Sequence, residues 1–220
     1  MHTSMRHLKR YLVFLALCCL SVAAGGQTAE GFRIDTISDA LFERIKGKSY
    51  PQDCKIDRSE LRHLTVKHYD GKGKMKDGEL ICNKQIAKEL LEIFKELFEN
   101  KYPIESIRLI DDFDANDELS MQANNTSCFC YRAVAGSAKL SAHARGMAVD
   151  INPLYNPCVR RLRNGSVSIQ PKAGKPYADR SRHYGYTLRK GDLCYRLFTK
   201  YGFRWGGDWR SLKDYQHFEK

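Results

Sequence analysis

Four side chains in the second half of this 220-residue chain have the types and spacing needed for metal-assisted hydrolysis. His143 and Asp150 stand seven residues apart in LSAHARGMAVDIN, a separation suited to two neighbouring strand ends rather than to one helix. Asp214 and His217 stand three apart in KDYQHFEK, and on a helical or 3-10 turn that spacing puts both on one side. Two imidazoles and one carboxylate (His143, Asp150 and His217) are a normal ligand set for catalytic zinc, which keeps a further coordination position open. With a single carboxylate ligand the ion stays net positive, enough to bring the pKa of a water near it to about 7. Asp214 is then available as the base that takes the water's proton and passes it to a leaving amine. Arg132 is a candidate for stabilising the oxyanion. On spacing alone a second reading stays open, in which the histidines are ordinary surface or core residues and Asp150 caps a turn. His63, His68 and His183 have no comparable companions and are expected to be structural or solvated.

The elements that must position these residues are legible in outline. Leu140–Asn152 is expected to form two short strands around Gly146. In the second, Met147, Val149 and Ile151 face the core while Ala148 and Asp150 face the other way. The small Ala148 leaves room beside Asp150, and Gly146 permits a close approach of His143. Upstream, Ser38 caps a helix running to about Lys46, with Gly47 as its stop. Leu61–Tyr69 is a strand, Asp70–Lys74 a turn, and Glu79–Cys82 the returning partner. Asn83 caps a helix from Lys84 to about Asn100, whose Ile86, Leu90, Ile93, Phe94, Leu97 and Phe98 form one apolar stripe. Ile104–Ile110 is expected as a strand, followed by an acidic loop, Asp111–Glu118. From Pro153 to Arg189 the lack of periodicity implies an extended surface insertion. Asp192 caps a last helix through Lys200, with Gly202 as its stop.

Two motifs carry a family resemblance. SAHARGMAVD matches S-x-H-x-x-G-x-A-x-D at Ser141, His143, Gly146, Ala148 and Asp150, and WGGDWRSLKDYQHFE resembles the closing D-x-x-H segment of the same family. Over roughly Ile104 to Lys220 the chain resembles the zinc metallopeptidases that include D-alanyl-D-alanine carboxypeptidases and L-alanyl-D-glutamate endopeptidases, which cut the stem peptides of bacterial peptidoglycan. The resemblance implies that His143, Asp150 and His217 hold zinc, that Asp214 is the general base, and that Arg132, in CFCYRAVAG, binds a substrate carbonyl or carboxylate. Many relatives have Gly-Tyr-Arg-Ser where this chain has Cys130-Tyr131-Arg132-Ala133. An Asp base together with Trp-Gly-Gly-Asp-Trp leans toward the endopeptidase branch. Trp205 and Trp209 are candidates to line the cleft, with packing under the last strand as the alternative. Ser141 belongs to the motif, and Arg145, beside His143, is a candidate contact for an anionic stem peptide. A zinc-retaining but non-catalytic cell-wall binding module, of the kind found among related hedgehog-type domains, is the competing function; it predicts a missing base or ligand, and all four residues are present.

Composition bounds the setting. With 42% apolar and 11% aromatic residues the chain can bury a core. Residues 1–24 combine a basic start (Arg6, Lys9, Arg10), the apolar run Tyr11–Leu20 and a small-residue exit, as a secretory signal does. That run is shorter than the roughly 20 residues a spanning helix needs, so stable membrane insertion is not expected. Removing the signal takes three positive charges from the formal +11 and leaves +8. The positive charge points to an anionic partner such as cell wall, not to nucleic acid, for which no recognition signature appears. The six later cysteines suggest disulfides in an exported chain, with Cys54–Cys82 and Cys158–Cys194 as the preferred pairs. The expected architecture is an α+β domain with a small, mostly antiparallel sheet, helices on one face and zinc in a surface groove. Its expected organisation is a signal at 1–24, a helix and hairpin segment at 25–103 and a zinc peptidase core at 104–220, exported to the periplasm or outside the cell and acting as a monomer.

Overall fold

A computed structural model describes residues 30–134 and 137–220. The chain forms β1 (Arg33–Thr36), α1 (Asp39–Ile45), β2 (Leu61–Tyr69), β3 (Met75–Asn83), α2 (Ala87–Glu99), β4 (Ser106–Ile107), α3 (Asp117–Gln122) and β5 (Asn125–Thr126). It continues through β6 (Ala148–Asp150), β7 (Cys158–Arg161), β8 (Val167–Gln170), α4 (Leu193–Lys200), β9 (Arg204–Trp205), β10 (Lys213–Asp214) and β11 (His217–Glu219). Instead of one sheet there are three small antiparallel ones, ordered β1-β2-β3, β6-β11-β9 and β10-β7-β8, and a parallel β4-β5 pair.

Local signals explain the upstream elements. The Ser38 hydroxyl accepts from the Leu41 amide and starts α1. In β2 the side chains alternate, with Leu64 and Val66 buried. The α2 stripe of Leu90, Ile93, Phe94 and Leu97 covers β2. Alternation along β3 feeds two clusters: Leu80 and Cys82 join the main core, whereas Ile81 joins a smaller cluster with Leu41, Ile45, Leu61 and Phe129. The main core is shared between the two halves of the chain, since Phe32, Leu64, Val66 and Leu80 pack in the same cluster as Val149, Ile151, Trp205 and Phe218.

Several expectations need correction. Asn83 caps only the turn before α2, accepting from the Gln85 amide, so the helix starts at Ala87. The strand expected over Ile104–Ile110 shrinks to β4, because the chain bends into a 3-10 turn at Ile110–Phe113 that ends on the left-handed Asp114. There the acidic loop is ordered: buried Asp111 accepts from both the amide and the hydroxyl of Ser49. The 153–189 insertion contains the β7–β8 hairpin and a cluster of Tyr155, Tyr177, Tyr184 and Tyr186, whose contacts leave no sequence period.

All six described cysteines are free thiols. The two preferred pairs are not formed because their members lie in different surroundings. Cys54 packs against the smaller cluster and Cys82 lies in the main core; Cys158 faces the groove described below, while Cys194 is buried in the main core. Burial pushes the Cys82, Cys128 and Cys194 thiols well up, which makes them inert. The 1–24 signal lies outside the described residues. Among those described, no helix is long and apolar enough to cross a membrane.

Candidate metal and catalytic site

The site is built where β6 and β11 meet. Asp150, the last residue of β6, is the direct cross-strand partner of His217, the first of β11, so the register alone brings a carboxylate and an imidazole together. His143 comes from a 3-10 turn, His143–Arg145, and not from a strand end. The Ser141 hydroxyl starts this turn by accepting from the Ala144 amide, and Gly146 ends it in the left-handed region at φ +66°. Gly146 is also crowded: a Cβ there would lie 2.6 Å from the Asn83 amide nitrogen. That amide donates to the Gly146 carbonyl at 2.9 Å, and the Asn83 side chain donates to the Arg145 carbonyl at 3.2 Å. The end of β3 therefore holds the His143 turn in place.

The distances define a compact triad. Asp150 Oδ1 lies 3.0 Å from His217 Nδ1 and 3.3 Å from His143 Nε2, and the two ring nitrogens are 3.2 Å apart. Each ring's other nitrogen faces an acceptor. His143 Nδ1 donates to the Cys128 carbonyl at 2.6 Å. His217 Nε2 stands 3.5 Å from Glu219 Oε2, and Arg204 holds that carboxylate at 2.8 Å. With the outer nitrogens so occupied, the two inner ring nitrogens face the carboxylate, and one potential ligand atom from each of the three residues lies within 4.8 Å of the others. A cation satisfies that convergence, and this donor set fits zinc.

Asp214 ends β10 opposite Cys158 of β7 and lines the same groove, a cavity of about 240 Å³. Its Oδ1 is shut off from solvent and has no hydrogen-bond partner among the described residues. Burial raises its carboxyl; His217 opposes the shift and the Asp150 charge adds to it, so that it titrates at about 6. For Asp150 burial acts in the same upward sense, yet His143 and His217 together hold it far below the carboxylate range. Burial disfavours charge on His217, but hydrogen bonds to Asp150 and Glu219 raise it to about 10. The structure thus separates two neighbouring carboxylates, one firmly anionic and one poised to exchange a proton.

The ionised Asp214 carries a stability cost. Its folded pKa of about 6 lies above the 3.8 of the free group, so ionisation favours the unfolded chain. This penalty is absent below the free pKa, develops as the pH rises toward the folded value, and is complete at neutrality. Asp214→Asn removes it, and we expect the metal-free variant to gain on the order of 1–3 kcal/mol at pH 7. Thermal melts at pH 7 and pH 4 check this: the gain should shrink at the lower pH, and a lower melting temperature at pH 7 would contradict it.

The other candidate residues divide. Arg132 lines the groove and is ion-paired to Asp117, at the start of α3. Ser141 and Trp209 also line it, the Trp209 ring 5.3 Å from that of His217. Trp205 lies in the main core, with its indole nitrogen donating to the Tyr215 carbonyl. Arg145 turns back to the Leu140 and Ser141 carbonyls and borders a different depression, with Asn83 and Met147. Asp214 and His217 lie on two consecutive strands, not on a helical turn. Three contributors escape the sequence reading: Asp117, Glu219 and the Cys128 carbonyl. Gly206, within Trp-Gly-Gly-Asp-Trp, permits a close approach of backbone at the site. A Cβ on Gly206 would stand 2.6 Å from the Asp214 carbonyl oxygen and 3.3 Å from His217 Cβ. Glu219, two residues from His217 on one strand, was the most accessible to pattern reading.

Residues 135–220 match the family model described as D-alanyl-D-alanine carboxypeptidase. No curated protein and no solved structure matches the chain.

Proposed function

With residues 135–220 assigned to the D-alanyl-D-alanine carboxypeptidase family, we propose that the protein is an exported zinc peptidase that hydrolyses peptide bonds in the stem peptides of bacterial peptidoglycan. The observation that carries this reading is the convergence of His143, Asp150 and His217 within 4.8 Å in the groove that also holds Asp214. Zinc held by those three residues would polarise the scissile carbonyl and acidify the attacking water. Asp214 accepts the water's proton and delivers it to the amide nitrogen, so that a C–O bond forms as the C–N bond breaks and the amine leaves neutral. Its raised pKa suits both halves of that transfer. Arg132, oriented by Asp117, is placed to face the carbonyl oxygen as charge develops there. Cys128 and Glu219 hold the imidazole orientations, and Trp209 covers His217.

Export is supported by the basic start, apolar run and small-residue exit of residues 1–24, and a cell-wall substrate by the basic charge balance. The Asp base and the Trp205–Trp209 segment favour the L-alanyl-D-glutamate endopeptidase type over the carboxypeptidase type. Mass spectrometry of muropeptides treated with the purified protein tests the reading. The expected products are fragments cut between L-alanine and D-glutamate. Release of terminal D-alanine would shift the assignment to the carboxypeptidase type, and unchanged muropeptides in the presence of zinc would overturn it.

A further inference from the structure

Apart from Asp214, the carboxylates facing the groove are compensated, and so is Arg132. Asp150 lies between the two imidazoles, Glu219 is held by Arg204, and Arg132 is paired with Asp117. Arg160 differs. It is exposed, lines the groove, and makes no ion pair among the described residues.

Its direction follows from strand alternation. Along β7, Cys158 and Arg160 face the groove together with Gln170, the cross-strand partner of Cys158, whereas Val159, Arg161 and Lys213 border a separate depression on the opposite face. Cys158 is in turn the cross-strand partner of Asp214. Two residues further along β7 place Arg160 about 7 Å from the position opposite the base. That offset is within the reach of an arginine side chain toward a group one residue beyond the scissile bond.

We propose that Arg160 is a specificity-determining residue that binds a free carboxylate on the substrate residue donating the leaving amine. This rests on the peptidase reading above and deepens it. Both bonds considered there share the necessary chemistry. In an L-alanyl-γ-D-glutamyl stem the glutamate joins the next residue through its side chain, so its α-carboxylate stays free beside the scissile amide; a terminal D-alanine also carries a carboxylate there. A guanidinium without an internal partner is available for bidentate pairing, while Arg132, already compensated by Asp117, is left to the carbonyl oxygen.

Two synthetic substrate pairs test the assignment: Ala-γ-D-Glu-Lys with its α-amide, and acetyl-Lys-D-Ala-D-Ala with its C-terminal amide. In the wild-type protein kcat/KM for the cleaved member should fall about 10- to 100-fold on amidation, mainly through KM. Arg160→Ala should cleave the acid and the amide equally, at the rate of the wild type on the amide and with unchanged zinc content. Arg160→Lys should recover part of the preference. A wild type indifferent to amidation, or an Arg160→Ala variant that keeps the preference, overturns the assignment. Cleavage of neither pair overturns the peptidase reading; calorimetry then decides separately. Binding of a carboxylate peptide at least tenfold tighter to wild type than to Arg160→Ala upholds the role of Arg160, and equal binding refutes it.

Discussion

His143→Ala and His217→Ala should each lower bound zinc from one equivalent per chain to trace amounts and abolish peptide release. Either change leaves two of the three converging donors and removes the orienting contact with Cys128 or Glu219 as well. The fold should survive both, because the triad lies at the edge of the main core and neither imidazole belongs to an apolar cluster. Elemental analysis and circular dichroism on the same preparations check the two halves of this expectation. Chelation of the wild-type protein should reproduce the loss of activity, and added zinc should restore it. Stoichiometric zinc in the doubly substituted protein would put the metal elsewhere in the chain.

Asp214→Ala should behave differently. Zinc content should remain at one equivalent, whereas kcat falls by roughly 10²–10⁴, the range for losing a positioned general base. The pH profile makes the assignment sharper. The base must be ionised, and Asp214 titrates at about 6, so kcat/KM of the wild type rises with pH through an acid limb at or below that value. A cation in the triad adds positive charge nearby and moves the limb lower, never higher. Asp214→Ala should lack this limb altogether. If zinc is lost together with activity, Asp214 is part of the ligand set and another group must carry the proton.

Residues were more legible than the geometry that joins them. Ser38 and Asp192 mark helix starts because capping is a contact within three residues, and β2 is visible in its own alternation. The four principal site residues follow from motif spacing, yet their supports do not. The spacing of Asp214 and His217 fits a helical turn, but β10 and β11 pair with β7 and β6 respectively, and these long-range ladders override the local pattern. For the same reason His143 sits on a turn: Gly146 must pass against Asn83, a residue more than sixty positions earlier. Trp205 and Trp209 lie four residues apart in one glycine-rich segment, and only tertiary packing sends one into the core and the other to the groove. The cysteine count suggested cross-links, whereas burial among apolar side chains gives Cys82, Cys128 and Cys194 a packing role.

The amide of Asn83 that holds Gly146, and the core shared between the two halves, bear on what can be transplanted. The family match begins at residue 135, but the cooperative unit does not. A chimaera that carried only the matching stretch into another host would bring Val149, Ile151, Trp205 and Phe218 without Phe32, Leu64, Val66, Leu80 and α2 to cover them. It would also leave behind Cys128, whose carbonyl orients His143, and the β3 end that fixes the turn. The smallest graft that preserves the chemistry therefore extends back to Phe32, just ahead of β1, and the upstream hairpin and helix travel with the site as its mould.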